Sequence, residues 1–242
     1  MDGPTATFLL AAVWAFVRAI REGAPRWGLD AVLAGLAMAL ASFMTYTVVF
    51  LLLLFTVVAA LALAFDRPRF WRIVRVVPLA ALACAAFYGA LYLWAGYDPL
   101  AAAQRAVWAN NELVGTGHAT VEEYLQVSLS NLFAFLGGMG FALVALWLWQ
   151  VKVAAGRAER GEEVDLFLLA FPIALLVITF SALYTLETER IWMFMAPMLT
   201  LGAARFLDER RGEGGGDAAF HWTAGLLALQ VVLTETFADT LW

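Results

Sequence analysis

The chain has one cysteine, two histidines and a single lysine, Lys152, and only 14% of its 242 residues are charged. The lone cysteine, Cys84, sits deep in an apolar run, which excludes a disulfide framework and leaves a packed or lipid-facing thiol. His118, His221 and Cys84 fall in three separate segments, so a zinc site has too few donors to draw on and no metal is expected. A serine or cysteine triad needs a histidine beside a nucleophile and a carboxylate, and neither histidine has that setting. No Gly-rich phosphate loop is present. The GGMG stretch at 137–140 lies in an apolar run and reads as a place of close helix packing within one helix. The basic residues form short clusters beside apolar runs, which argues against a nucleic-acid surface. Nothing calls for a cofactor.

What is present is apolar. Hydrophobic residues make up 63% of the chain and the mean hydropathy is +0.80, whereas a soluble domain carries about a quarter charged residues. Several runs reach or approach the roughly 20 apolar residues that cross a bilayer. The expected fold is an all-α, polytopic transmembrane helix bundle forming a single domain over 1–242. The opening MDGPTATFLLAAVWAFV lacks a positively charged leader and a small-residue cleavage site, so it is expected to be a helix and not a signal peptide.

The apolar run at 29–65 is too long for one crossing. Its 37 residues would make a helix of about 55 Å, nearly twice the hydrocarbon thickness. Ser42, Thr45, Tyr46 and Thr47 interrupt it, and the chain is expected to turn back near Ser42–Tyr46. Helices are then expected near 5–20, 29–43, 47–65, 77–95, 128–150, 165–185, 190–206 and 219–237, about eight crossings in all. With this count, thirteen of the fifteen basic residues fall on one side, and only Arg105 and Arg190 on the other. The positive-inside rule selects it and puts both termini outside.

The long outside loop, 96–127, opens with Asp98-Pro99, an N-cap followed by proline. Leu100, Ala103, Val107 and Trp108 recur at helical spacing, which predicts a surface helix. Thr120-Val-Glu-Glu123 is a capping box that opens the next helix. RRGEGGGD falls in a flexible cytoplasmic linker, 207–218. Pro197 is expected to kink the helix at 190–206. No internal repeat is visible, and no charge falls within 77–95 or 128–150, so a transporter or channel subunit has little support.

The outer face holds the candidate chemistry. In LETERIWMFMAP, residues 186–197, Thr188 is a plausible N-cap and Glu189 suits the first turn of a helix, but Arg190 does not. A cation there needs an anion. Glu187 can answer it as a surface pair, or the arginine and the free N–H groups together make a socket for a phosphate. Both answers stay open on the residues alone. Asp2 is either an N-cap or a charge on the rim of an outward-facing cavity. Asn110, Asn111 and His118 either contact a sugar or are simply solvated.

Four segments in order, MDGPTATFLLAAVWAFVRAI, LAGLAMALASFMTYTVVFLLLLF, GYDPLAAAQRAVWA and ETERIWMFMAP, resemble the membrane half of GT-C type glycosyltransferases. The likeness is to bacterial members that use polyprenyl-phosphate sugars, and it covers roughly 1–206. It implies a plasma-membrane enzyme, active on the outer face, that passes a sugar from a lipid-phosphate donor to an acceptor. Its partners would be that lipid-linked donor and membrane lipids. Arg190 would contact the departing phosphate with Glu187 and Glu189 beside it, and Asp2, Asp98, Asn110, Asn111 and His118 would line the rim. In that family the catalytic acid lies in the first outside loop, so here it is expected upstream of Met1, in an amino-terminal part that this chain lacks. The alternative is a non-catalytic membrane scaffold or assembly subunit.

Overall fold

The computed structural model describes residues 3–45, 48–114, 120–162, 164–181, 195–212 and 216–237. Among them are ten helices and no strand. The helices are α1 (Gly3–Ala19), α2 (Trp27–Met44), α3 (Val48–Phe65), α4 (Arg67–Ala95) and α5 (Pro99–Val114) in the first half. The second half adds α6 (Val121–Met139), α7 (Phe141–Glu159), α8 (Leu166–Thr179), α9 (Ala196–Gly212) and α10 (Gly216–Phe237). Four of them, α2, α3, α4 and α7, are long and apolar enough to cross a membrane. Shorter apolar helices lie at Pro4–Ala19, Leu166–Thr179 and Asp217–Leu233. Leu93 and Trp94 on α4 are each 86% exposed, a surface suited to acyl chains and not to water.

Helices in lipid gain little from burying leucine against leucine, so close approach of small residues carries the packing. α1 and α2 pack against each other, and Ala12, Ala15 and Ala19 on one and Ala31 and Ala34 on the other are all buried. α2 approaches α4 more closely still, because a Cβ on Gly35 would lie 2.1 Å from the backbone oxygen of Ala80. A larger aromatic core fills the space between α1, α3 and α8. Phe16 stacks on Phe55 with centroids 4.1 Å apart, and Phe50 and Trp147 both meet Phe171 edge-on.

The ends of the helices follow local rules. Asp66 caps α4 through the Arg69 amide at 2.9 Å, with proline in the first turn. The helix therefore starts at Arg67, and the arginines of 67–75 form its first turns instead of preceding a helix at 77. Gly96, with φ of 65°, ends it. The break after Met44 falls at Thr45; Tyr46 and Thr47 lie outside the described residues. α9 begins at Ala196, so Pro197 stands in its first turn, where a missing N–H costs nothing; residues 190–194 of the expected helix lie outside the described residues.

The run at 128–150 differs from the expected single helix. It divides at Gly140, whose φ of 94° no ordinary side chain adopts easily. The freed backbone groups are answered by Gln230 of α10, which donates to the Gly137 carbonyl at 2.7 Å and accepts from the Phe141 amide at 2.9 Å. One amide side chain thus bridges the two halves of a broken helix, the kind of repair that broken helices in a membrane require.

Arg72 donates to the Ile20 carbonyl at 2.9 Å, Arg157 faces Glu209, and Arg205 faces Asp165. These contacts gather the ends of α1, α7 and α9 and the starts of α4 and α8 at one pole of the bundle. At the opposite pole Phe43 meets Tyr97 edge-on, and Tyr124 donates to the Phe180 carbonyl. The tightest packing yields a direct check. Gly35→Ala should lower the stability of the purified protein in detergent by about 1–3 kcal/mol. Gly89→Ala, in the same bundle with nothing within 4 Å of the new methyl, should leave it unchanged or slightly raised. Equal melting temperatures for the two variants would contradict the close α2–α4 contact.

Candidate functional site

The arginine pole holds a cleft of about 630 Å³. It is built from five helix ends: Arg21 after α1, Arg69 on α4, Arg157 on α7, Asp165 at the start of α8 and Arg205 on α9. Asp165 has two tasks. One carboxylate oxygen caps α8 by accepting from the amides of Phe167 and Leu168, both at 3.1 Å, and the other pairs with Arg205. Arg205 also reaches Glu209 at 3.6 Å, and Arg157 meets the same carboxylate at 3.5 Å. Asp165, Arg205, Glu209 and Arg157 therefore form a continuous chain of alternating charge across three helices.

Beneath the chain lies a narrower chamber of about 130 Å³, sharing Asp165, Phe167 and Arg205 with the cleft and lined inside by Trp147, Phe171 and Met198. Gly202 lets α9 approach here, since a Cβ would come within 2.7 Å of the Trp147 ring. Trp147 and Gln150 are three residues apart on one face of α7. Both are buried, and the Trp147 indole nitrogen and the Gln150 carbonyl oxygen have no hydrogen-bond partner. The Gln150 side chain, helped by Arg157 and Arg205, holds the Glu209 carboxylate below its ordinary 4.5.

No histidine lines the cleft, and among the described residues no three His, Cys, Asp or Glu side chains come together as a metal-holding group. The arrangement binds and orients charge. It does not assemble a nucleophile with a base. Sequence reasoning passed over this cluster. The available signals were Asp165 directly before the apolar run of α8 and Gln150 as a lone amide at the end of another.

The residues singled out from the sequence lie elsewhere. Asp2, His118, Glu187, Glu189 and Arg190 are outside the described residues, as are the side chains of Asn110 and Asn111 on α5. Asp98 is described, and its carboxylate caps α5 by accepting from Leu100 and Ala101 at 2.9 and 3.0 Å. Thr120 likewise caps α6 through the Glu123 amide at 3.1 Å. Compared with known proteins, the chain matches no family model, no curated protein and no solved structure.

Glu209 gives the cluster a pH signature. Its ionised form is favoured by the fold, so its contribution is complete above about pH 5 and is lost as the pH falls through the lowered value. Thermal stability in detergent should decline below about pH 4.5, and Glu209→Gln should show a smaller decline from a lower starting point. Superimposable pH profiles for the two proteins would contradict the assignment.

Proposed function

We propose that this chain is the membrane portion of a GT-C-type glycosyltransferase that takes a sugar from a lipid-phosphate donor at the outer face of a plasma membrane. The observation that carries the reading is LETERIWMFMAP, an arginine directly after two acids in a stretch that leads into α9, standing fourth in an ordered series of segments resembling that family. Eight crossings accompany it: α1, α2, α3, α4, α6 with α7, α8, α9 and α10. α5 lies along the outer surface.

Charge supports the orientation, since the arginine pole belongs on the cytoplasmic side. Contacts at the opposite pole support the position of the motif. α8 leaves the arginine pole at Asp165 and ends by Phe180, against Tyr124 at the start of α6. α9 carries Arg205 back to the arginine pole. The end of α8 thereby lies at the pole distant from the arginines, on the side where α5 follows Asp98.

In this reading Arg190 steadies the departing lipid phosphate as charge develops on it, and Glu187 and Glu189 hold the guanidinium in place. Asp98 fixes the start of α5, and Asn110, Asn111 and His118 face the sugar with Asp2. The test is transfer of radiolabelled sugar from a polyprenyl-phosphate donor in native membranes carrying Arg190→Ala or Arg190→Lys. Both should lose about 100-fold or more of the rate while the protein remains at its normal level. Wild-type turnover in both would remove the reading.

A further inference from the structure

The arginine pole carries a second, smaller recess of about 170 Å³ beside the charge-paired cleft, on the other side of Arg21. Arg21 comes from the turn after α1. Arg72 and Arg75 come from α4, three residues apart and so on one face of it. Trp27 closes the edge. No carboxylate lines it.

Several other arginines at this pole are neutralised. Arg18 holds Asp30, Arg69 holds Asp66, Arg157 holds Glu209, Arg160 holds Glu162 and Arg205 holds Asp165. Arg21, Arg72 and Arg75 hold no carboxylate among the described residues, and Arg72 spends only its Nε–H, on the Ile20 carbonyl. The nearest acids are engaged or turned elsewhere: Asp30 is buried against Arg18, and Glu22 lines the neighbouring cleft. Three guanidinium groups converging without a counter-charge repel one another until an anion joins them. The start of α2, whose cap residue Arg26 supplies no side-chain acceptor, adds the positive end of a helix dipole.

We propose that this recess binds the phosphodiester headgroup of an anionic phospholipid in the leaflet at the arginine pole. Its rim favours a lipid over a free ion. Trp27, Leu29, Trp71 and Val74, on the two helices that frame the recess, are all exposed and apolar, a surface for the acyl chains of the same molecule. The cavity takes a phosphate group and leaves the chains outside. This site is at the opposite pole from the proposed donor phosphate and stands whether or not that proposal does.

The test is native mass spectrometry of the detergent-solubilised chain, titrated with phosphatidylglycerol or phosphatidylcholine of matched acyl chains. Three arginines at about fivefold each predict a preference for phosphatidylglycerol on the order of a hundredfold. The double variant R21Q/R75Q, which spares the Arg72 bond to Ile20, should lose about 25-fold of that affinity. R160Q, at the same pole but paired with Glu162, should lose none. Equal binding of the two lipids, an unaffected double variant or an equal loss in R160Q would overturn the proposal. Displacement of phosphatidylglycerol by millimolar inorganic phosphate would assign a free-anion site and overturn the lipid.

Discussion

Asp165 and Arg205 join the start of α8 to the inner part of α9, and much of the remaining arrangement follows from where that contact lies. The same carboxylate satisfies two amides of α8 that would otherwise have no partner. An ion pair at a helix end is worth little where water competes for it. Here the pair is part of a chain with Glu209 and Arg157, and only part of each group is exposed. The chain fixes α7, α8 and α9 against one another at one pole. It thereby sends the end of α8 and the start of α9 towards the other pole.

The two poles have different chemistry. At one, some arginines are neutralised by acids, as Arg69 is, while Arg21, Arg72 and Arg75 are gathered around a recess lined by none. At the other, aromatic and hydroxyl groups dominate: the Tyr88 hydroxyl lies 2.7 Å from Ser42, its ring stacks on Tyr97, and Tyr97 touches Phe43. Between the poles, packing rests on alanine and glycine, with one repaired helix break at Gly140. A protein of this kind meets two surfaces of one membrane with separate sets of side chains.

Part of this was legible in the residues. The division near Thr45 could be read because 37 apolar residues outrun a bilayer and Ser42 to Thr47 interrupt them. The caps at Asp98 and Thr120 could be read because capping is local: the side chain serves an amide two or three residues on. The break at Gly140 could not. GGMG is equally compatible with close packing, and the group that makes the break tolerable, Gln230, is 90 residues further along. The early start of α4 was hidden by its arginines, which read as loop charges although they are good helix formers behind Asp66. The pairing of each arginine depends on which helix ends meet, so Asp165 could be read as a cap but its partner could not, and Glu209 and the recess around Arg21, Arg72 and Arg75 carried no distinctive sequence signal. The motif around Arg190 was the clearest functional signal in the chain, and it lies outside the described residues.

The transferase reading depends on which side of the membrane each pole faces. The most direct measurement is labelling of single cysteines by a membrane-impermeant maleimide in a Cys84→Ala background, with Thr116→Cys in the segment after α5 and Arg160→Cys at the end of α7. Thr116→Cys should react in intact cells, and Arg160→Cys only after the membrane is opened. Labelling of Arg160→Cys in intact cells, with Thr116→Cys protected, would contradict the orientation and the transferase reading built on it.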